Sequence, residues 1–227
     1  MTQKTQAGQA YQGLRADILA CRIPPSAKIK INDICAKYEV SLGAAREALS
    51  RLVADGIVLM EPQKGFAVAP ISRKELTDLT EARIEIEFLC LEQAIRHGDV
   101  HWEGNIVAAF HRLSRISEQD ANDQQTLNPD WSVAHSDFHN ALVAACPNLL
   151  LLRLREQLYA QSERYRHWSV SLRRAPRARD VGREHEAIMK ATLARDTAAA
   201  RSALAAHFSR TTSDVLEMTE TLKREIA

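Results

Sequence analysis

The feature that most constrains this chain is the ordered run from Lys30 to Val68. Ile31-Asn-Asp-Ile-Cys-Ala-Lys-Tyr38 reads as a short amphipathic helix, Glu39 and Val40 as a tight turn, and Ser41 as the opening of a second helix that continues to Ala54. The Ser41 hydroxyl can accept from a free backbone N–H of the first turn, which makes it a good N-cap. Ala45, Leu49, Leu52 and Val53 lie on one stripe at helical spacing and are expected to pack inward, leaving Arg46 and Ser50 outside. Asp55-Gly56 ends the helix. Two apolar runs, Ile57–Met60 and Phe66–Ala69, then flank Glu61-Pro-Gln-Lys-Gly65, a hairpin with a cationic tip. Helix pairs are common, but helix, turn, slim helix and hairpin in this order make a winged helix-turn-helix, whose second helix enters a DNA major groove. Gly43, Ala44 and Ala45 keep the front of that helix slim enough to approach phosphates.

At 227 residues the chain exceeds the usual size of one domain. Ala69-Pro70-Ile71 reads as a linker, which divides it into a winged helix-turn-helix at residues 1–70 and a second domain at 71–227. Residues 1–70 hold nine Lys/Arg against six Asp/Glu, so a formal charge of +1 conceals +3 on the first domain and about −2 on the rest. That surplus is modest for a DNA binder, and a dimer would double the phosphate contacts.

The second domain reads as six helices, at 72–97, 101–119, 130–146, 148–174, 177–194 and 197–223, with no convincing strand. Ser72 with Glu75 forms a capping-box pattern at its start. The expected fold is therefore mainly α, a winged helix-turn-helix followed by an all-α six-helix bundle. Leu149–Leu154 is too short to span a membrane and is expected in the core. Arg173-Arg-Ala-Pro-Arg-Ala-Arg179 is expected as a solvated interhelix loop. Trp102, Trp131 and Trp168 are expected to pack in the core or an interface. Met1–Gln9 is polar and has neither the form of a signal peptide nor of an anchor. Cys21, Cys35, Cys90 and Cys146 are isolated among apolar neighbours, as expected of buried thiols in a reducing cytoplasm.

The chemistry of this half lies in its histidines. His135 and His139 project from one helix face a turn apart, a spacing that can chelate one metal ion. Such a pair is more often polar surface. His185 on the fifth helix of the bundle and His207 on the sixth alter that balance, since four imidazoles from three helices could converge in a bundle centre. His97, His101, His111 and His167 sit at helix ends or among polar residues and are expected at the surface.

The segment Val40–Leu52, with Asp55-Gly56-Ile57-Val58 and Lys64-Gly65-Phe66, resembles the GntR family of transcriptional regulators. Leu14–Pro25 resembles that family's first helix and its proline-containing exit. The resemblance implies that Asn32, Ser41, Gly43, Ala44, Arg46, Lys64 and Gly65 face DNA. Where most relatives carry Arg directly after the N-cap, this chain has Leu42, which cannot make a bidentate guanine contact and could instead touch a thymine methyl. An operator unlike the family's common one is expected. Arg46 could alternatively pair with Glu47 or Asp55.

Glu81-Ala-Arg-Ile-Glu85, Phe138-His139 with Asn148 nine residues on, and the two C-terminal histidines resemble the FCD ligand-binding domain of the FadR branch, in its six-helix VanR-like form. That resemblance implies a divalent metal, zinc before nickel or manganese, on His135, His139, His185 and His207. The first of these replaces an aspartate of the family. It also implies that Arg83 recognises an effector carboxylate through its planar fork. The alternative for Arg83 is pairing with Glu87 on a solvated face. Taken together, the expectation is a cytoplasmic homodimeric repressor that binds an operator and senses a small organic acid, with no membrane contact. The competing expectation is a metal-dependent, hydrolase-like enzyme built on the four histidines.

Overall fold

The computed structural model describes residues 5–20, 22–70, 72–121, 126–171 and 179–226. The chain divides into two compact units, Met1–Arg73 and Lys74–Ala227. The first is built from α1 (Gln6–Leu19), β1 (Lys28–Ile29), α2 (Ile31–Tyr38), α3 (Leu42–Ala54), β2 (Val58–Glu61) and β3 (Gly65–Val68). Its sheet has the order β1-β3-β2, antiparallel throughout, with Val58 opposite Val68 and Glu61 opposite Gly65. Strand β1, with Ile29 opposite Phe66, has no counterpart in the expected hairpin. Two residues are too few to carry a period, so pattern alone does not reveal it.

Leu14 and Ile18 of α1 and Ala45, Ala48, Leu49 and Leu52 of α3 are fully buried. The expected inward stripe is thus corrected at one position. A helix step of 100° places Ala48 about 60° from Ala45 on the side of Leu52, while Val53 falls about 80° away on the opposite margin and is half-buried. At Gly13 any Cβ would lie 2.5 Å from the Tyr38 ring, so the close approach of α1 and α2 requires glycine there. Glu39 adopts the left-handed conformation at φ 53°, which turns the chain between α2 and α3.

The second unit contains α4 (Arg73–His97), α5 (Val100–Ser114), α6 (Pro129–Val143), α7 (Leu149–Ser171), α8 (Val181–Leu193) and α9 (Thr197–Ile226). Polar caps fix most of the starts. The side chains of Asp99, Asn128, Asn148, Asp180 and Asp196 each accept from a backbone N–H of the following helix. Helix α5 ends at Ser114, five residues earlier than its pattern suggests. The chain then forms a bridge between Gln119 and Leu127, with Leu127 buried. The core takes Phe88 and Leu91 from α4, Trp102 and Ile106 from α5, Trp131 and Phe138 from α6, Ile188 from α8 and Leu204 from α9. Trp168 is wholly buried as well.

Two expectations fail here. Leu149 and Leu150 are 65% and 63% exposed and Leu154 is exposed too, with only Leu151 and Leu152 tucked partly against the core. Consecutive residues wind around a helix, so an unbroken leucine run cannot turn wholly inward unless the helix is covered on every side. Arg179, expected in a solvated loop, is folded against the bundle and ion-paired to Glu184 and Asp214. The rest of the basic run, 173–178, lies outside the described residues, as do Cys21 and Ile71. Cys35 is half-buried, whereas Cys90 and Cys146 are buried free thiols. Although isolated in sequence, those two meet in space: burial and the adjacent Cys146 thiol push the Cys90 thiol up to about 12. Among the described residues, no helix is long and apolar enough to cross a membrane.

Candidate functional site

In the first unit, the residues expected to face DNA lie on α2, at the front of α3 and at the hairpin tip. Asn32, Ser41, Leu42, Gly43, Arg46, Lys64 and Gly65 are exposed, and Ala44 is half-buried. The Ser41 hydroxyl accepts from Ala44 N at 3.3 Å, which satisfies one of the amides that open α3. A Cβ added at Gly43 would meet nothing within 4 Å, so no internal packing demands glycine there. Leu42 is an exposed apolar side chain at the mouth of the helix, one turn before Arg46. Among the described residues Arg46 forms no ion pair with Glu47 or Asp55; Asp55 instead accepts from the Tyr11 hydroxyl at 2.7 Å. At the hairpin tip Lys64 lies 3.6 Å from Glu61, a surface pair too weak to withhold the lysine from a phosphate. Gly65 has φ +89°, which the tight tip requires.

In the second unit, α6 supplies His135 and His139, α8 supplies His185 and α9 supplies His207. All four are buried, and one ring nitrogen from each lies within 4.8 Å of the others. Both nitrogens of His139 and Nε2 of His185 have no hydrogen-bond partner. Burial, followed by repulsion from the neighbouring imidazoles, holds His135, His139 and His185 well below the usual histidine value. His207 is lowered by burial to about 4, although Glu184 pulls the other way. Neutral imidazoles with free lone pairs are the form a cation binds.

The surroundings orient the set. Glu184 Oε2 lies 2.8 Å from His207 Nδ1. Burial alone would raise the Glu184 carboxyl, but hydrogen bonds from Arg179 and His207 outweigh it and hold Glu184 ionised. The carboxylate therefore accepts from His207 Nδ1–H and leaves Nε2 as the free donor atom, an arrangement typical of the outer shell of metal sites. Trp131 stacks on His135 at 4.6 Å, and the Tyr159 hydroxyl lies 3.3 Å from His135 Nδ1. Nitrogens around an ion at about 2.0–2.1 Å stand about 3.4 Å apart, so this donor set fits a four-nitrogen ion after a small contraction. An all-imidazole set suits zinc or nickel better than manganese, which prefers oxygen ligands.

Beside the histidines is a cavity of about 40 Å³, whose lining includes Arg83, Arg166, His135 and His207. Arg83 is buried, with its Nε and Nη2 unpartnered and its guanidinium 3.9 Å from the Phe208 ring centre. Burial pushes it down to about 10. The solvated pairing with Glu87 does not occur. Glu87 is itself buried and accepts from Arg155 at 2.8 Å. Asp137 is exposed, away from the histidines, while Asn148 caps α7.

Residues 6–68 match the family of bacterial regulatory proteins called gntR, and residues 78–210 match the FCD domain. The chain belongs to the GntR family, in the branch that carries an FCD domain. The HTH-type transcriptional regulator BphR of Paraburkholderia xenovorans is 39% identical over 205 residues, covering 90% of this chain and 83% of BphR. The HTH-type transcriptional repressor GlaR of Escherichia coli is 35% identical over 201 residues, 87% of this chain and 90% of GlaR. The solved structure of Escherichia coli McbR/YncC matches the fold with a TM-score of 0.71 at 16% identity, over 95% of this chain and 99% of that one.

As a GntR regulator the chain is a DNA-binding transcription factor, and its relatives are regulators rather than enzymes, so the hydrolase-like alternative falls. The GntR match extends to Gln6, eight residues before the segment that carried the resemblance to the family's first helix. Sequence reasoning missed Arg166, Arg179, Tyr159 and the placement of Trp131 beside His135. One signal was available on α7: Arg155, Tyr159, Ser162 and Arg166 recur at helical spacing and so share one face of the helix. Arg179 carried no such signal, since a basic loop residue reads the same whether it solvates or folds back.

Proposed function

We propose that this GntR regulator is a homodimeric repressor whose operator affinity is controlled by a small carboxylate bound in the FCD domain, beside a divalent ion held by His135, His139, His185 and His207. The carrying observation is the buried Arg83 guanidinium with two unpartnered N–H groups, opening onto the same cavity as two of four unprotonated imidazoles. Arg83 would accept the acid through bidentate hydrogen bonds. When bound, the ion would supply positive charge beside the same ligand. Glu184 keeps His207 in the tautomer that presents Nε2.

The DNA half of the reading rests on the exposed front of α3 and the cationic hairpin tip. Asn32, Ser41, Gly43, Ala44, Lys64 and Gly65 would contact backbone, and Leu42 and Arg46 base edges. Exposed Leu89 on α4 and Leu149, Leu150 and Leu154 on α7 favour a second copy as partner. Repression, rather than activation, is supported by the name of GlaR. Ligand binding acts on the operator only if it prefers one spacing of the two DNA-binding heads. Residues 1–70 would thus read DNA and residues 71–227 would sense and dimerise, in the cytoplasm.

Metal analysis of purified wild-type protein and of His139→Ala/His185→Ala tests the centre. About one equivalent per chain is expected, lost in the double variant, with Glu184→Gln weakening retention by about 10- to 100-fold. Wild-type protein that takes up no added zinc or nickel overturns the metal part of the reading.

A further inference from the structure

Two further arginines line the cavity: Arg179 is taken up by Glu184 and Asp214, and Arg166 is left unused by the carboxylate reading. Arg166, on α7, is 7% exposed and its Nε has no acceptor. Its closest ion-pair partner, Glu163, stands 3.9 Å from Nη2, beyond hydrogen-bond reach. Arg83 and Arg166 both lie over the Tyr159 ring, at 5.1 and 5.0 Å from its centre, so their guanidinium carbons are separated by no more than the sum of those distances. A third guanidinium, Arg155, stands over the same ring but is already engaged by Glu87 and Asn140. Burying two further guanidinium groups with N–H donors left unpartnered is costly, and a ligand that pairs only one leaves the other uncompensated. Each fork matches one carboxylate.

Resting on the reading of Arg83 as an acid receptor, we propose that the effector carries two acid groups, one met by Arg83 and the other by Arg166: a short-chain dicarboxylate. Leu76, Leu79 and Phe208 line the same cavity and suit a short methylene spacer. The four-imidazole set adds no anionic ligand, so any bound cation deepens the preference for a dianion over a monoanion.

Calorimetric titration of the full-length protein with succinate, glutarate and adipate, each paired with the monoacid of equal length (butyrate, pentanoate and hexanoate), tests this. At least one diacid should bind tenfold or more tighter than its monoacid. Arg166→Gln should abolish that preference while keeping monoacid binding, Arg166→Lys should restore part of it, and Arg83→Gln should weaken both classes. Circular dichroism confirms that each variant is folded. Equal binding of diacid and monoacid, or a preference indifferent to Arg166, overturns the dicarboxylate inference while leaving the Arg83 reading intact. If no acid of either class binds the wild type, both are overturned.

Discussion

Replacing Arg83 by methionine should make the unliganded protein more stable. The guanidinium is buried, two of its N–H groups have no acceptor, and burial lowers it to about 10. By linkage, a depression of that size corresponds to about 3 kcal/mol against the charged form in the folded state. The folded value lies below the unfolded one, so this penalty is present in full below about pH 10 and is relieved progressively as the pH rises from there towards the unfolded value. Stacking over Phe208 at 3.9 Å and Tyr159 at 5.1 Å returns about 1 kcal/mol. Methionine is flexible enough to fill the vacated stem volume at little cost. The net gain is about 1–2 kcal/mol, or a rise in Tm of about 4 °C for a chain of this size. Thermal unfolding at pH 7.5 followed by circular dichroism, without added acid, reads it directly. Added succinate or butyrate that binds should stabilise the wild type and not the variant. A Tm that is unchanged or lower refutes the reasoning, because it would mean that the guanidinium is satisfied where it stands.

In the DNA-binding unit, Asp17 is buried and accepts from Arg22, Lys37 and Tyr38, tying α1 to α2. Burial raises its carboxyl, the three hydrogen bonds outweigh that, and the net shift is downward. The resulting stability is therefore present above about pH 4 and lost as the pH falls through the folded value. Asp17→Asn should cost about 2 kcal/mol at pH 7 by hydrogen exchange of α1 and α2, and less below pH 4; an equal deficit at both pH values would sink this account. Lys64→Ala should lower the slope of log affinity against log salt by about 1 per chain, measured by anisotropy on an operator fragment selected with the wild type. An unchanged slope would remove the hairpin tip from the DNA contact.

The parts of this molecule legible in its sequence are those carried by local pattern. Ile31–Tyr38 and Ser41–Ala54 are helix and N-cap because apolar spacing and a serine hydroxyl act within one or two turns. Caps such as Asn148 and the four histidines are visible for the same reason. Pattern does not tell which distant helix supplies a partner. Arg83 and Glu87 are four apart on α4, a spacing equally good for a surface pair. The decision comes from α7, where Arg155, 68 residues away, takes Glu87 and leaves Arg83 without an acceptor. The leucines that open α7 mislead for a related reason: hydrophobicity gives a residue's preference, whereas the packing of neighbouring helices decides which sides of a helix are covered.

Trp131, one of three tryptophans in the chain, lies with its indole against His135 and forms part of the cavity wall. Whatever enters the cavity, or draws the imidazoles together, changes the dielectric and the quenching environment of that one fluorophore. Trp168 is sealed from solvent and Trp102 is fixed by its Nε1–H to the carbonyl of Ala141, so both supply a steady background. The regulator thus carries an optical gauge of its own occupancy, readable without a label and without DNA.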